Sequence, residues 1–566
     1  MIIGIDLGTT NSLAAVWQNG QAVLIPNALG KYLTPSVVSV DENGMVLVGE
    51  AARDLQLVRP ANCAANFKRL MGTAQTIMLG KQAFRPEELS SLVLRQLKED
   101  AENFLGETVN EAVISVPAYF SDVQRKATKI AASMAGLTVE RLINEPTAAA
   151  LAYGLHNQED EHQFLVFDLG GGTFDVSILE LFDNIMEVRA SAGDNFLGGE
   201  DIVDILVEAF RQQQEFMEEI EWREPTLQRQ LRVEAERVKR ALSLREAAVF
   251  SVEIKGQHYQ WQITETDFEL LLESFFARIR EPLEMAIRDA RLDISQLDQV
   301  VLVGGSTRMP LIRKLVAQLF GRLPAMHLNP DEVIAQGAAI QAALKARNSE
   351  LEDVVVTDVC PFTLGVNTSR TLGHTREQGY FAPIIERNRS IPCSRMRKFY
   401  TVHDDQATVD FKIYQGESRM VENNIFLAEL SIAVPPKAAG EVEIEVRFTY
   451  DINGLLDVDI HVPLTGNRSS LLIEQHPGAL TEEQLQQSLA KLSALKIHPR
   501  DDQANQALMA RLDHLYQLSL GDTREWISDC SRQFSYLLEK QDNDPIVAFR
   551  ERLNHILDDL ETDRLL

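Results

Sequence analysis

The sequence has 566 residues, 45% of them hydrophobic, with 55 basic and 83 acidic side chains and a formal net charge of −28. One hydrophobic core does not organise a chain of this length, so several domains are expected. Nucleic acid and anionic membranes attract basic surfaces, and the acidic charge therefore argues against either as a main partner.

The cysteines and the lack of long apolar runs indicate in which cellular compartment the protein resides. The four cysteines (Cys63, Cys360, Cys393 and Cys530) are scattered and lack metal-site or redox spacing, so we interpret them as reduced packing residues. The chain starts directly with a strand-like segment, and no run approaches the roughly 18 apolar residues of a membrane span. We expect a cytoplasmic protein.

Residues 1–350 alternate strand-like and helix-like patterns, which is typical of an α/β domain. The strand-like runs include AVISVPAYF at 112–120 and VVLVGGS at 300–306, and a helical pattern covers 122–137.

The pattern changes after residue 350. Residues 351–360 suit an extended linker that ends before Pro361. Residues 361–475 alternate apolar and polar side chains, as in TVDFKIYQGE, and Asn453-Gly454 indicates a hairpin, so this segment predicts an antiparallel β module. In residues 476–566, Thr481 and Gln484 form a capping box ahead of a leucine stripe, which predicts helices.

Two similar hairpins stand about 160 residues apart, IIGIDLGTTNSLAAVW at 2–17 and LVFDLGGGTFDVSILE at 165–180. Each joins two apolar runs through an aspartate, glycines and a threonine. Glycine backbones approach phosphates closely, threonines add donors, and an aspartate would face phosphate through a hydrated Mg²⁺. A pair of such hairpins predicts two lobes that grip one polyanion, whereas either alone could be an ordinary β-turn. A third bend, VLVGGSTRMP at 301–310, joins a strand to a helix.

Several motifs occur together and in a fixed order: GIDLGTTNS, VPAYF, NEPTAAALAYG, FDLGGGTFDVS, GGED, VGGSTRMP and NPDEVIAQGAA. In this order the sequence resembles the seventy-kilodalton heat-shock protein (DnaK-type) chaperones, and the resemblance extends to at least residue 475. The short chain and LSALKIHPRD at 492–501 look closest to the HscC-like bacterial branch. The resemblance implies a multidomain fold: a two-lobed actin-like α/β ATPase, a linker, an antiparallel β-sandwich that binds peptides and an α-helical lid.

The resemblance also implies site residues for ATP or ADP with Mg²⁺. The phosphate loops would be Thr9, Thr10 and Asn11, and Gly170, Gly171, Gly172 and Thr173. Asp6 and Asp168 would hold Mg²⁺, Asp175 a K⁺ ion, and Lys68, Glu145, Asp168 and Thr173 would be catalytic. The rest of the nucleotide pocket would comprise Gly198, Gly199, Glu200, Glu236, Lys239, Arg240, Ser243, Gly304, Gly305, Arg308 and Asp331.

Two further groups follow from the same resemblance. Pro117, Arg125, Arg141, Asn144 and Asp358 would couple the domains, and some would meet a J-domain co-chaperone. Leu364, Val366, Phe399, Val402, Val409 and Phe411 would bind an apolar side chain of an unfolded polypeptide.

Plain structural roles compete with these assignments. Lys68 could be a solvated helix lysine, Glu145 a capping carboxylate, and Pro117 a strand terminator. Glu236, Lys239 and Arg240 could form a helical salt-bridge ladder, and the apolar β-module residues an ordinary sandwich core.

The sequence also departs from the family pattern. The linker has Thr357 where a leucine is usual, so its docking would be weaker, and Ser369 and Val402 stand at the arch over the peptide. The region that contacts an exchange factor, about 203–262, is short, which leaves open whether such a factor is needed.

Three functions fit the hairpins. An ATP-driven chaperone also accounts for the linker, the β module and the helices. A sugar-kinase-like phosphotransferase or an actin-like filament protein would share the ATPase core alone.

Overall fold

The computed structural model describes residues 1–40, 45–154, 162–182, 185–213, 224–254, 256–325, 329–346, 355–372, 375–451, 456–473, 496–497, 508–509, 511–512, 514–516, 519, 521–540, 548–550 and 552–557. The predicted capping box, the leucine stripe and the Asn453-Gly454 turn lie outside these residues.

Residues 1–154 form what we call the first lobe. Its strands are β1 (Ile2–Asp6), β2 (Asn11–Gln18), β3 (Gln21–Ile25), β4 (Thr34–Pro35), β5 (Val38–Val40), β6 (Met45–Val48), β7 (Cys63–Ala64), β8 (Ile77–Leu79), β9 (Gln82–Phe84), β10 (Glu111–Val116) and β11 (Thr138–Asn144). Its helices are α1 (Glu50–Val58), α2 (Pro86–Leu105), α3 (Asp122–Met134) and α4 (Glu145–Gly154). The main sheet has the order β11-β10-β1-β2-β3, with β4 paired to β2.

Residues 162–346 form the second lobe. Its strands are β12 (His162–Leu169), β13 (Phe174–Phe182), β14 (Ile185–Asp194), β15 (Ala247–Ile254), β16 (Gln257–Thr264) and β17 (Gln299–Val303). Its helices are α5 (Gly199–Gln213), α6 (Pro225–Leu242), α7 (Glu265–Leu271), α8 (Glu273–Ala290), α9 (Pro310–Phe320) and α10 (Val333–Lys345). The strands predicted near 112 and 300 and the helix predicted from 122 are thereby confirmed.

The two lobes repeat one sheet motif. In the first lobe, β1 is antiparallel to β2 and parallel to β10. In the second, β12 is antiparallel to β13 and parallel to β17. The duplicated hairpin is therefore part of a larger duplication, and each copy carries its polar bend at the same end of an equivalent sheet.

Two alanine-rich helices, α4 and α10, pack against each other between the sheets. Their backbones approach so closely that a Cβ on Gly337 would lie 1.8 Å from the carbonyl oxygen of Ala148. Helix α10 also contacts β1 and β2, so a late segment of the chain completes the core of the first lobe. Small residues are needed here because larger side chains would push the two lobes apart.

Residues 355–473 supply the linker strand and the β module. The strands are β18 (Val355–Val359), β19 (Leu364–Leu372), β20 (Thr375–Ile385), β21 (Ser390–Ile391), β22 (Cys393–Tyr400), β23 (Thr408–Gln415), β24 (Ile425–Ala433), β25 (Glu443–Tyr450), β26 (Leu456–Val462) and β27 (Asn467–Ile473). Two four-stranded sheets, β20-β19-β23-β24 and β22-β25-β26-β27, share one apolar core. The alternation of apolar and polar side chains predicted from the sequence arises because alternate side chains, such as Phe411 and Ile413, are buried between the sheets.

The linker strand β18 joins the second lobe to the β module. It lies parallel to β14 of the second lobe and antiparallel to β21 of the β module. Val356 and Val359 are buried in the apolar cluster beneath α4 and α10. The linker therefore extends the sheet of the second lobe.

Beyond the β module, the structure describes the short strand β28 (Lys496–Ile497), the helix α11 (Gly521–Lys540) and shorter helical pieces. Strand β28 pairs with β6 of the first lobe. Leu512, Phe534 and Leu557 belong to one apolar cluster that packs this region together. None of the helices that the structure describes has the length and apolarity that a bilayer crossing needs.

The β module contacts both lobes through polar side chains. The Tyr450 hydroxyl donates to Asp122 Oδ1 of the first lobe over 3.0 Å, in a buried contact. Arg387 and Asn388 donate to Asp289 of the second lobe over 2.7 and 2.8 Å. Burial raises the pKa of Asp122 to about 6, although the Tyr450 hydrogen bond and nearby Arg125 oppose the rise.

We predict that the β module docks more tightly as the pH falls from about 7 towards about 5. Docked Asp122 has a pKa of about 6, against an ordinary 3.8 when exposed, so the docked form binds the proton more tightly. Docking should gain up to about tenfold per pH unit in this window and level off below the ordinary value. Small-angle scattering, which reports the radius of gyration, measures it.

Asp122→Asn is the matched control, because its amide oxygen still accepts from Tyr450 and its side chain does not titrate. The variant should stay docked across the window. Nearby Cys360 and Tyr450 contribute no charge change, because burial raises the pKa of each well above its usual range. The same pH dependence in parent and variant would contradict the prediction.

Candidate functional site

A cavity of about 700 Å³ lies between the two lobes. Most of the residues predicted to be catalytic, to hold metal or to bind nucleotide line it: Asp6, Thr9, Thr10, Asn11, Lys68, Glu145, Asp168, Gly170, Gly171, Thr173, Gly199, Glu200, Glu236, Lys239, Arg240, Ser243, Gly304, Gly305, Arg308 and Asp331. Gly172, Gly198 and Asp175 are not in the lining, although each adjoins a residue or loop that is. The cavity thus collects side chains spread over more than 300 residues of sequence.

The two hairpin bends meet at one edge of this cavity. A Cβ on Gly171 would lie 1.9 Å from Thr10 Oγ1, and one on Gly172 would lie 2.6 Å from the Thr9 methyl group. Any side chain at Gly171 would therefore separate the loops. Glycine is required here for close approach between the lobes, and backbone N–H groups remain near the cavity.

The Gly198-Gly199-Glu200 bend supports the second loop from behind. Gly199 N donates to Gly170 O over 3.0 Å, and Glu200 N donates to Gly171 O over 2.8 Å. A Cβ on Gly198 would lie 2.6 Å from the Gly171 carbonyl oxygen. These contacts fix the loop backbone before any ligand arrives.

Lys68 and Glu145 form a buried ion pair at the cavity. Lys68 Nζ lies 2.8 Å from Glu145 Oε1, and both residues are almost fully buried. The ammonium also lies 5.5 Å from the centre of the Phe120 ring. Because Lys68 is buried, it is not a solvated helix lysine. Glu145 is the first residue of α4, so Glu145 also has the position expected of a capping carboxylate.

Four buried carboxylates (Asp6, Glu145, Asp168 and Asp175) surround this one lysine. Burial, followed by the charge of Glu145, raises the pKa of Asp6 to about 7 and that of Asp175 to about 8. The same causes raise the pKa of Asp168 well above its usual range. The site therefore holds more negative charge than its own cation offsets.

Two polar atoms at the cavity, Asp168 Oδ2 and Thr10 Oγ1, are buried without a hydrogen-bond partner among the described residues. Excess carboxylate charge and oxygen ligands suit a hard cation such as Mg²⁺. No three acidic, His or Cys side chains in the described part of the chain come together closely enough to enclose a bare metal ion. The residues therefore fit a hydrated Mg²⁺, which keeps several waters.

Helix α6 contributes residues predicted for the nucleotide pocket to the lining of the cavity. Glu236 pairs with Lys239 over 2.5 Å and with Arg240 over 2.7 Å, so the salt-bridge ladder exists and also lines the cavity. Lys239 Nζ donates to Gly199 O over 3.1 Å and joins α6 to the second loop. Arg308, after the third bend, is held by Asp331 over 2.6 Å.

The predicted coupling residues form a chain of contacts behind the cavity. Arg125 donates to Asn144 Oδ1 over 2.6 Å and to the Ala118 carbonyl, which follows Pro117, over 3.0 Å. Asn144 Nδ2 donates to Asp358 Oδ2 of the linker over 2.7 Å. Arg141 donates to Gln341 instead, over 2.9 Å. Burial lowers the pKa of Arg141, and the charge of Asp358 only partly opposes this.

The predicted peptide-binding residues lie in and around the core of the β module. Leu364, Val366 and Phe411 are fully buried there, while Phe399 and Val409 pack against it half-buried. Phe399 meets Phe411 edge to face at 5.5 Å. Val402 is half-buried in the loop after β22, where its N–H donates to Gln406. In this docked arrangement the first three side chains are sandwich core.

Sequence reasoning missed Arg69. Its guanidinium donates to the Gly172 carbonyl over 2.9 Å and pairs with Asp201 after the Gly198-Gly199 bend. It thereby joins the first lobe to the second loop and to the segment that supports that loop. The residue adjoins Lys68, but its partners lie more than 100 positions away, so the sequence carried no signal for this contact.

Comparison with known proteins identifies the family. The Hsp70 protein family profile matches residues 2–529. The chain belongs to the Hsp70 family. It is 42% identical over 490 residues to the chaperone protein DnaK of Thermotoga neapolitana, which covers 83% of this chain and 80% of the relative. The DnaK proteins of Thermotoga petrophila and Thermotoga maritima are each 41% identical over the same shares.

The family membership confirms the resemblance found in the motifs, and the protein is an ATP-dependent molecular chaperone. Hsp70 proteins are ATPases, which agrees with a nucleotide-sized cavity between two lobes. The phosphotransferase and filament alternatives find no support in these relatives. Placement in the HscC-like branch stays a prediction, as do the domain boundaries.

We predict that Lys68→Ala and Asp168→Ala each lower single-turnover ATP hydrolysis by roughly 10² to 10³. Lys68 would act on the charge of the reacting phosphate directly, and Asp168 would act through a hydrated cation. Lys68→Ala should still bind ATP, because the loops and α6 remain. Rapid-quench hydrolysis and equilibrium nucleotide binding measure the two effects.

Lys98→Ala is the control for Lys68→Ala, because Lys98 lies in α2 and bonds the Gly136 carbonyl, away from the cavity. This variant should hydrolyse ATP at the parent rate. Near-normal hydrolysis by Lys68→Ala would refute the assignment.

Proposed function

We propose that the protein hydrolyses ATP to ADP and phosphate in the cavity between the lobes, and that this reaction switches how tightly the β module holds extended apolar segments of unfolded polypeptides. One junction carries the proposal. Asn144, which bonds the linker, and Glu145, which bonds Lys68, are adjacent residues where β11 meets α4. A shift at the reacting phosphate thus has a direct route to the linker.

The side chains have separate tasks in this proposal. Backbone groups of the two glycine loops, with Thr10 and Thr173, would bind the phosphates, and the α6 residues with Arg308 would hold the adenosine. Lys68 would stabilise the charge that develops on the transferred phosphoryl group. Glu145 would hold the Lys68 ammonium in place. Positioning and charge stabilisation account for most of the catalysis in this class of reaction.

Asp6 and Asp168 would hold a hydrated Mg²⁺, which when bound offsets charge on the phosphate oxygens. Asp175 accepts from the Tyr119 amide over 3.0 Å, and a K⁺ ion beside it remains a proposal. Closure of the lobes, assisted by the Arg69 contacts, would exclude bulk water from the reacting atoms.

The linker would report the nucleotide state to the β module. In the docked form described here, Asp358 is buried and bonded to Asn144 and Thr147. Leu364, Val366 and Phe411 are closed within the core, so peptide would bind after the module undocks and its pocket opens. A J-domain co-chaperone is the expected partner, and the proposal does not require a nucleotide exchange factor. The four free thiols support a cytoplasmic location.

We predict that peptide affinity falls when ATP replaces ADP. In this proposal ATP favours the docked form, and the docked form keeps the apolar pocket closed. By reciprocity, peptide must favour the ADP-bound form by the same factor. Fluorescence anisotropy with an extended apolar peptide, in saturating ATP or ADP, measures both dissociation constants.

Asn144→Ala removes the side chain that bonds Asp358 and should shrink the difference between the two constants. Equal peptide affinity in both nucleotides, in the parent protein, would show that the β module is not coupled to the ATPase.

The linker offers a finer test at Thr357. Its side chain is half-buried, and its hydroxyl donates to the Met186 carbonyl over a long 3.5 Å. We predict that Thr357→Leu docks the linker more firmly, since burying a leucine side chain contributes roughly 1.5 to 3 kcal/mol at most. Peptide affinity in ATP should fall, and the ATP-to-ADP ratio of dissociation constants should grow.

Thr357→Val is the matched control, since it removes the hydroxyl while keeping the shape and should show a smaller change in the same direction. An unchanged ratio in Thr357→Leu would show that position 357 does not contribute to docking.

A further inference from the structure

A second cavity, of about 870 Å³, lies between the second lobe and the β module. Strand β14 and the end of α8 form one wall, and loops of the β module at residues 386–390 and 416–419 form the other. Because each domain supplies one wall, the cavity exists only while the two are docked. A ligand that fills it would therefore favour the docked form.

The charge around this cavity reverses that of the whole protein. Five arginines and four acidic residues line it: Arg189, Arg291, Arg387, Arg389 and Arg419, with Glu187, Asp289, Glu386 and Glu417. In the full chain, by contrast, 83 acidic side chains outnumber 55 basic ones. The cavity is a locally cationic place on an acidic protein.

Most of the acidic groups are already paired. Arg387 binds Asp289 and Glu417, each over 2.7 Å. The backbone and hydroxyl of Thr363 also donate to Glu417, over 2.8 and 3.0 Å. Arg189 binds Glu187 over 3.1 Å. These contacts fix the walls, and two arginines pair with three of the four lining carboxylates.

Three guanidinium groups remain. Among the described residues, no carboxylate pairs with Arg291, Arg389 or Arg419, and the closest ring contact is Arg419 against Tyr380 at 5.9 Å. One free acid, Glu386, stands with them. Arg291 belongs to the second lobe, while Arg389 and Arg419 belong to the β module, so the free cations face one cavity from both walls.

A ligand that satisfies them needs several negative charges in a compact volume. Guanidinium groups bind phosphate oxygens through paired, planar hydrogen bonds, and a single carboxylate could not serve both walls. The volume lies within the range of small-molecule sites. We propose that this interdomain cavity binds a compact oligophosphate, and that the bound ligand holds the β module against the second lobe.

The effect on docking follows from mass action. A ligand that binds only the docked form multiplies the docking equilibrium constant by the factor 1 + [L]/Kd, where [L] is the free ligand concentration and Kd its dissociation constant. This inference concerns binding and docking alone, so its tests do not depend on ATP hydrolysis or peptide release.

The experiment is a calorimetric titration of the full chain with sodium tripolyphosphate, at low salt, with and without saturating ATP. ATP should prevent tripolyphosphate from binding at the nucleotide cavity. The tripolyphosphate binding that remains is then assigned to the interdomain cavity. Arg291→Gln combined with Arg389→Gln should weaken this remaining binding at least about tenfold, because two phosphate contacts are lost. Arg468→Gln, an exposed arginine of β27, should leave it unchanged.

A gain of affinity gives an independent check. Glu386→Gln removes the unpaired acid, so it should bind tripolyphosphate more tightly, a result that partial unfolding cannot produce. Small-angle scattering in ATP should show a more compact protein when tripolyphosphate is added, and no such change in the double variant.

A sugar bisphosphate in the same titration distinguishes the source of the phosphates. Tighter binding than tripolyphosphate would assign the cavity to a phosphorylated metabolite, and weaker binding to an inorganic chain. Equal binding by the double variant and Arg468→Gln would overturn the proposal.

Discussion

The close approach of Gly171 to Thr10 is the constraint on which the rest of the site depends. The two loops come from separate sheets, and a single methyl group at Gly171 would overlap the threonine hydroxyl. Their meeting requires that the lobes be held at a fixed separation. The α4–α10 packing, itself dependent on Gly337, provides that separation, and the Gly198 bend and Arg69 hold the second loop from behind.

The same closeness concentrates charge. Asp6, Asp168, Asp175 and Glu145 are all buried around Lys68, and burying carboxylates without compensating cations is unfavourable. Removing one partner of a buried ion pair commonly costs roughly 3 to 5 kcal/mol, because the other charge is left uncompensated. The side chains of the site therefore leave negative charge uncompensated, and a bound cation would offset it. Local departures of this kind are expected at functional sites.

The junction of Asn144 and Glu145 connects this charged site to the rest of the molecule. On one side lies the Lys68 ion pair, and on the other the bond to Asp358 of the linker. The β module then rests on both lobes through polar contacts, Tyr450 to Asp122 and Arg387 to Asp289. Polar interfaces of this kind between domains are typical of surfaces that separate and rejoin. Val356 and Val359 of the linker strand are also buried, so docking combines an adjustable polar interface with a small apolar anchor.

The sequence by itself determined the two glycine-rich loops and the alternation that builds each sheet, because close approach and strand burial leave local signatures in residue type and period. Gly170–Thr173 and the 409–413 alternation could thus be read directly. The residues of α6 were found through motif resemblance, because a helical charge ladder looks the same at a site or on a surface. Only the tertiary structure decided the partners of Arg69, the Tyr450–Asp122 contact and the cavity of unpaired arginines. Each of these depends on residues that are distant in the chain and belong to separately folded units, and no local pattern encodes how two such surfaces meet.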